Sequence, residues 1–309
     1  MPHWSLTLAY DGTAFHGWQI QPKLPTIQGT LAATLHRITG ETVLPQGSGR
    51  TDTGVHALGQ VASFSLQANI PPGNLLRALN RALPASIRVL RAELARPEFH
   101  ARHSALRKTY EYRIFPRVPH PPLPARAEPD RICPPTLAPY AWDCPWHIDL
   151  TLANRAARHI LGTHDFTSFA ASDPDLAARA TEPGAPWVEP ETSDRQPRAC
   201  KPANKTIYSS EFLVESGLVV YRVAGSGFLH HMVRNLVGTF IDAAAARIEP
   251  DSVLKILAAK NRAAAGQTAP ARGLFLLNVE YPTNLGAPCL DSETWAATAS
   301  NAAMKAGPR

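Results

Sequence analysis

Paired cysteines are the first thing this sequence lacks. Cys133, Cys144, Cys200 and Cys289 form no C-x-x-C pair, which argues against the common structural-zinc and redox motifs. Isolated thiols fit a reducing compartment. After Met1-Pro2-His3-Trp4 no charged segment leads into an apolar run, so no signal peptide is expected. No apolar stretch nears the roughly 20 residues of a membrane span. A cytoplasmic protein with no membrane partner is the expectation. Gly225-x-Gly227 is without the third glycine of a dinucleotide loop. Neither a zinc or redox motif nor a dinucleotide loop is therefore indicated.

What is present is a chain of 309 residues, 44% hydrophobic and 18% charged. That composition suits a packed protein of one large or two ordinary domains. A net charge of +6 and a pI near 9.3 point to a polyanionic partner, nucleic acid first.

Periodicity predicts the order of elements. Residues 4–10 alternate as a strand, followed by the turn Asp11-Gly12-Thr13 and a loop, 14–21, with exposed-looking aromatics. Thr26 is placed to cap a helix bearing Ile27, Leu31, Leu35 and Ile38 on one face, with Gly40 as its stop. Thr42-Val43-Leu44 reads as a short strand and 59–66 as a longer one. A helix over Leu75, Leu76, Leu79 and Leu83 precedes the strand 87–90. This β-α-β-β-α-β order is ferredoxin-like. A long strand, Leu106 to Phe115, follows.

The proline-rich stretch after it suggests a boundary. The expected organisation is an N-terminal half, 1–115, a connector, 116–146, a second half, 147–282, with a surface insertion at 172–204, and a disordered tail, 283–309. The second half is expected to hold a helix at 151–161 capped by Thr151. A hairpin turning at Glu215-Ser216-Gly217 should follow, then a long helix from Phe228 to Arg247, a helix at 251–260 and a last strand at 274–281.

One stretch stands apart, Gly49-Arg50-Thr51-Asp52-Thr53-Gly54-Val55-His56-Ala57. It has no apolar period, so it is a loop between the second and third strands. Arg50 favours the ionised form of Asp52, and an ionised, oriented carboxylate can act as nucleophile or base without a metal. The plainer reading of such a loop is a turn in which Asp52 and the threonines bond to backbone. By the same plain reading Tyr110 is a core residue, Asp165 a turn residue and His56 structural. His230 and His231 then point different ways on a helix and make a poor metal pair. Arg234, at the edge of that helix, calls for a carboxylate partner, and Asp52 is the candidate.

Taken together, several stretches resemble one family. They are the nine-residue loop, Ala9-Tyr10-Asp11-Gly12-Thr13 with Phe15, Gly17 and Trp18, and Gln28-Gly29. To these are added Lys108-Thr109-Tyr110-Glu111-Tyr112, the segments 164–169 and 225–235, and Ala269-Pro270-Ala271-Arg272-Gly273-Leu274. In this order and spacing they resemble the TruA family of tRNA pseudouridine synthases, from about Leu6 to Tyr281. The resemblance implies an α+β pseudouridine synthase fold. Two ferredoxin-like halves would form a mixed, mainly antiparallel sheet, with helices on one side and an RNA-binding cleft on the other. It implies a homodimer that isomerises uridine to pseudouridine in the anticodon arm of tRNA, typically at positions 38, 39 and 40, with no cofactor. It makes Asp52 the nucleophile and Tyr110 the residue that stacks on the target base and helps remove the C5 proton. Arg234 becomes the partner of Asp52, and Arg50 the side chain entering the space left by the flipped nucleotide.

The reaction breaks N1–C1′ and forms C5–C1′ with no net water, electron or phosphate, so residues of these types suffice. The base must be extruded to be reached. Two other readings stand beside it. One is a catalytically silent RNA-binding protein of the same fold. The other is a glycosidase or nucleoside hydrolase, which would usually need a second carboxylate.

Overall fold

A computed structural model describes residues 1–118, 131–171 and 203–283. Nearly all of the expected insertion and tail, and the middle of the proline-rich connector, lie outside the described residues. The described chain falls into two compact units. The first is made of residues 1–113, 134–141 and 271–283, and the second of 114–118, 131–133, 142–171 and 203–270.

In the first unit β1 (His3–Tyr10), α1 (Ile27–Thr39), β2 (Gln46–Gly47), β3 (His56–Ser65), α2 (Pro72–Ala82) and β4 (Ile87–Ala95) follow in the predicted order. β1 lies antiparallel between β3 and β4, with Leu6 opposite both Ala62 and Ala92. The first part of β5 (Arg107–Pro116) and the last described strand, β10 (Leu274–Glu280), complete the sheet in the order β4-β1-β3-β10-β5. β10 runs parallel to β3, with Phe275 opposite His56, and antiparallel to β5, with Leu276 opposite Tyr110. Trp4, Leu6, Leu8, Leu31, Leu35, Leu75 and Leu79 are buried. Thr26 caps α1 by accepting the Gly29 N–H, and Gly40 ends it at φ 75°, where a Cβ would be disfavoured.

Two expectations fail here. Residues 42–44 form no strand. Side chains hold this segment instead, because the Glu41 carboxylate accepts the N–H groups of Gln67 and Ala68, and Gln28 Nε2 donates to Pro45 O. The ladder shrinks to Gln46–Gly47, opposite Ser63 and Ala62. The aromatics of residues 14–21 are not exposed, since Phe15 and Trp18 are both buried.

In the second unit the end of β5 pairs parallel with β6 (Trp142–Cys144). α3 (Leu150–Arg158) is capped by Asp149, whose carboxylate accepts the N–H groups of Thr151 and Leu152. The cap expected at Thr151 thus lies two residues earlier, where a carboxylate takes two orphan donors instead of one. β7 (Gly162–Asp165), β8 (Asn204–Glu215) and β9 (Leu218–Gly225) form an antiparallel run. The β8–β9 hairpin turns at Ser216 and Gly217, both at positive φ, as a two-residue hairpin of this hand requires. Phe212, Tyr221 and Phe240 form an aromatic cluster with centroids 4.7–6.1 Å apart. α4 (Met232–Ala244) and α5 (Ser252–Ala259) follow. α4 begins four residues later than its apolar spacing predicts. His231 sits at φ 57°, in the left-handed region, so no helix runs through it. Ala246, at φ 54°, likewise marks where the chain has left the helix before Arg247.

Candidate active-site loop and the seat of Arg234

The loop expected to carry chemistry connects β2 to β3, and its backbone is tied down on several sides. The Trp18 N–H donates to Thr51 O at 3.0 Å, and the Gly54 N–H to Phe15 O at 3.3 Å. The Val55 N–H closes a turn onto Asp52 O at 3.1 Å. Gly17 stands at φ 79°, and a Cβ there would come 2.5 Å from Thr51 O. Only glycine allows that approach.

Buried polar side chains form the floor. Gln60, fully buried, accepts at Oε1 from Ser48 Oγ (2.6 Å) and the Val61 N–H (3.2 Å). Its Nε2 donates to Gly49 O (2.9 Å) and the Tyr10 hydroxyl (3.4 Å). That hydroxyl also bonds to Thr51 Oγ1 at 2.9 Å. Lys108 Nζ donates to Ser48 O at 2.6 Å. Burial pushes the Tyr10 hydroxyl up to about 12, against the opposing bonds from Thr51 and Gln60, so the group stays protonated. With its backbone fixed on both sides, the loop carries Asp52 half-buried, next to an exposed Thr53.

Tyr110, on β5, is buried. Burial raises its hydroxyl well above the ordinary tyrosine value, and the electrostatic influence of the neighbouring Tyr10 and Asp52 raises it further. Asp52 and Tyr110 are therefore within electrostatic reach of one another, and Tyr110 is a phenol rather than a phenolate. The positive charge that would make it a ready base is not what dominates its surroundings. The neighbouring Glu111, also buried, is held by Arg113 Nε at 2.8 Å, and that guanidinium lies over the Phe275 ring at 4.0 Å.

The first unit thus holds three of the four predicted site residues, Arg50, Asp52 and Tyr110, and Arg234 stands in the second. Arg234 lies in the first turn of α4. Its Nε donates to Ala269 O at 2.8 Å, and the Ala269 N–H returns a bond to Arg234 O at 3.1 Å. The next residue, Asn235, is fully buried and donates to Phe169 O at 2.8 Å. Its Oδ1 accepts from Arg262 Nη2 (3.0 Å) and Thr268 Oγ1 (2.7 Å). Arg262 also donates to the carbonyls of Ala265 and Gly266 and to Thr268 Oγ1. The segment 262–269 is thereby strapped to α4.

His230 and His231 do not point apart as expected on a helix. Their rings come together with centroids 3.9 Å apart and planes tilted by 31°, because His231 leaves the helical region. Asp165 is a turn residue, as its sequence setting suggested, with Oδ1 accepting from the Thr167 N–H and hydroxyl. Cys144 is a buried thiol whose pKa burial pushes up to about 11, which disfavours the thiolate a metal needs. Sequence reasoning missed Gln60 and Arg262. A glutamine at an inward position of an apolar strand was the available signal for the first. Nothing local marks the second, which is the only guanidinium in a stretch of small residues.

A sequence profile of the family described as tRNA pseudouridine synthase matches residues 7–104 and 191–282, well over half of the chain. The chain belongs to the tRNA pseudouridine synthase family. Its mixed α+β architecture, with mainly antiparallel strands, is that of the pseudouridine synthase fold. The tRNA pseudouridine synthase A of Solibacter usitatus is 45% identical over 274 residues, covering 89% of this chain and 97% of the relative. That of Moorella thermoacetica is 40% identical over 284 residues, 91% of this chain and all of the relative. The Bacillus subtilis protein of the same name is 37% identical over 278 residues, 89% and 97% respectively. Arg50 and Asp52 fall in the first stretch matched by the family profile, Arg234 in the second, and Tyr110 between them. Among the described residues no helix is long and apolar enough to cross a membrane.

Proposed function

We propose that this chain isomerises uridine to pseudouridine in the anticodon arm of tRNA, at positions among 38, 39 and 40. The observation that carries the reading is the half-buried Asp52 carboxylate, presented by a braced loop within electrostatic reach of the buried Tyr110. Relatives that share most of this chain's length bear the name tRNA pseudouridine synthase A. In this reading Asp52 is the nucleophile, Arg234 its charge partner, and Arg50 fills the place of the extruded nucleotide. Tyr110 stacks on the target base. Burial keeps its hydroxyl protonated, so it takes the C5 proton only while passing its own proton to the Asp52 carboxylate, which is free once C5–C1′ has formed. The enzyme works as a cytoplasmic homodimer without a cofactor. A hydrolase is less well supported, because Glu111, an acidic neighbour on β5, is buried and committed to Arg113 and is poorly placed as a second carboxylate.

The test is incubation with tRNA tritiated at uridine C5. Tritium released to water without free uracil is the expected result. Free uracil would mean hydrolysis, and binding without either would mean a silent RNA-binding protein. Tyr110→Phe keeps the ring and loses the hydroxyl. It should bind tRNA within about threefold of wild type, since stacking is worth roughly 1–3 kcal/mol per base. Tritium release should slow by about a hundredfold or more. A Phe variant as fast as wild type would leave Tyr110 as a stacking platform alone.

A further inference from the structure

The last polar residue of the loop motif, His56, has no part in the proposed chemistry, yet it is only 1% exposed. Its Nδ1 accepts the Gly12 N–H at 3.1 Å, so Nδ1 carries no proton and the ring is the neutral Nε2–H tautomer. Nε2 is buried and makes no hydrogen bond among the described residues, and the backbones of Pro139 and Arg272 lie close enough to favour a proton on the ring. The ring stacks on Phe275, with centroids 4.6 Å apart at 19°, and tilts against Tyr140.

Two charged groups act on this imidazole. Asp11, just past β1, brings Oδ1 to 3.2 Å from Nδ1, and Arg113 acts from β5. Asp11 is itself held by Thr13, through its N–H and its hydroxyl, and by the Tyr140 hydroxyl at 2.9 Å. Gly12 in turn backs onto the loop, where a Cβ would stand 2.0 Å from Val55 O. Val55 is the residue whose N–H closes the turn onto Asp52. A continuous line of contacts thus runs from His56 through Gly12 and Val55 to the backbone of Asp52.

We propose that His56 is a positioning residue for Asp52, its neutral Nδ1 clamping the Asp11–Gly12 turn against the loop. A proton on Nδ1 turns that nitrogen from acceptor to donor. Asp11 Oδ1 is within reach to take the new hydrogen bond, and the Gly12 N–H loses its partner. Burial lowers the pKa of His56 from its ordinary value, against the opposing pull of Asp11. The clamp is therefore complete above about pH 6.5. As pH falls through the lower folded-state value the clamp is lost, and its contribution to stability goes with it.

The inference rests on the isomerase reading and deepens it. At pH 8, His56→Leu should lower kcat by about a hundredfold, the scale of a misplaced catalytic group, with KM for tRNA within about threefold. His56→Asn places an amide oxygen where Nδ1 was and should keep kcat within about fivefold. Wild-type kcat should fall as pH drops through the His56 value, which lies below its ordinary range, Asp11→Asn should move that fall to lower pH, and His56→Asn should abolish it. A His56→Asn profile with the wild-type acid limb overturns the proposal, as does a folded His56→Leu with wild-type kcat. Should His56→Leu not fold, the acid limb of His56→Asn decides. Nitrogen-15 spectra of the unmodified chain at pH 7 give a readout independent of activity: the Nε2–H tautomer supports the clamp and the Nδ1–H tautomer overturns it. A wild-type protein that releases no tritium would sink the isomerase reading. An active one whose acid limb survives in His56→Asn would sink the His56 assignment alone.

Discussion

The floor beneath Asp52 and the seat of Arg234 solve the same problem with opposite means. Under the loop, four neutral side chains, Tyr10, Ser48, Thr51 and Gln60, are buried and bond to one another. Beside α4 a guanidinium, Arg262, gathers two carbonyls, a hydroxyl and an amide oxygen around itself while remaining partly exposed. The difference follows from desolvation. Neutral groups can be fully buried if every bond is made, whereas a charge withdrawn from water is penalised heavily. A proposed nucleophile must keep its own charge and geometry, and neutral buried side chains fix its backbone, while the charged Lys108 that donates to Ser48 O is left only half-buried. Beside α4 the Arg262 charge stays partly solvated and is directed at neutral oxygen acceptors, which it holds by charge-assisted hydrogen bonds.

That contrast can be broken by experiment. The largest effect is expected from Gln60→Leu, which leaves Ser48, Gly49, Val61 and Tyr10 each short of a partner at once. Orphaned buried groups are worth about 1–3 kcal/mol each. With partial relaxation the variant should lose about 3 kcal/mol in denaturant unfolding, and its kcat should fall about a hundredfold. Arg262→Met should lose less, about 2 kcal/mol, because the partly exposed site lets water replace some donors. Its kcat should fall about tenfold, with Arg234 loosened rather than removed. If Arg262→Met proves the more damaging of the two, the strap on α4 matters more than the floor under the loop, and the comparison is reversed.

Much of this was legible in the residues. The β-α-β-β-α-β order, the Thr26 and Gly40 caps, the Ser216-Gly217 turn and the position of the loop between β2 and β3 all follow from local chemistry acting over a few residues. What could not be read depends on partners distant in the chain. The Glu41 carboxylate, 26 and 27 residues from the N–H groups it accepts, sets aside the strand expected at 42–44. A left-handed backbone at His231, a residue type with no obligation to adopt it, shortens α4 and brings two histidine rings together. Phe15 and Trp18 read as exposed because nothing in their own segment reveals the loop that packs over them. For the site, Asp52 and Tyr110 were identified by family resemblance rather than by periodicity. The raised Tyr110 hydroxyl could not be anticipated, since it depends on burial and on Asp52.

The central claim is that Asp52 performs the chemistry, and one substitution tests it most directly. Asp52→Asn preserves shape and removes the charge and the nucleophile. Single-turnover release of C5 tritium from tRNA should fall by more than about ten-thousandfold, the scale seen when a nucleophile is removed. Affinity for tRNA, carried mainly by phosphate contacts, should stay within about tenfold. Tritium release near the wild-type rate in Asp52→Asn would contradict the account.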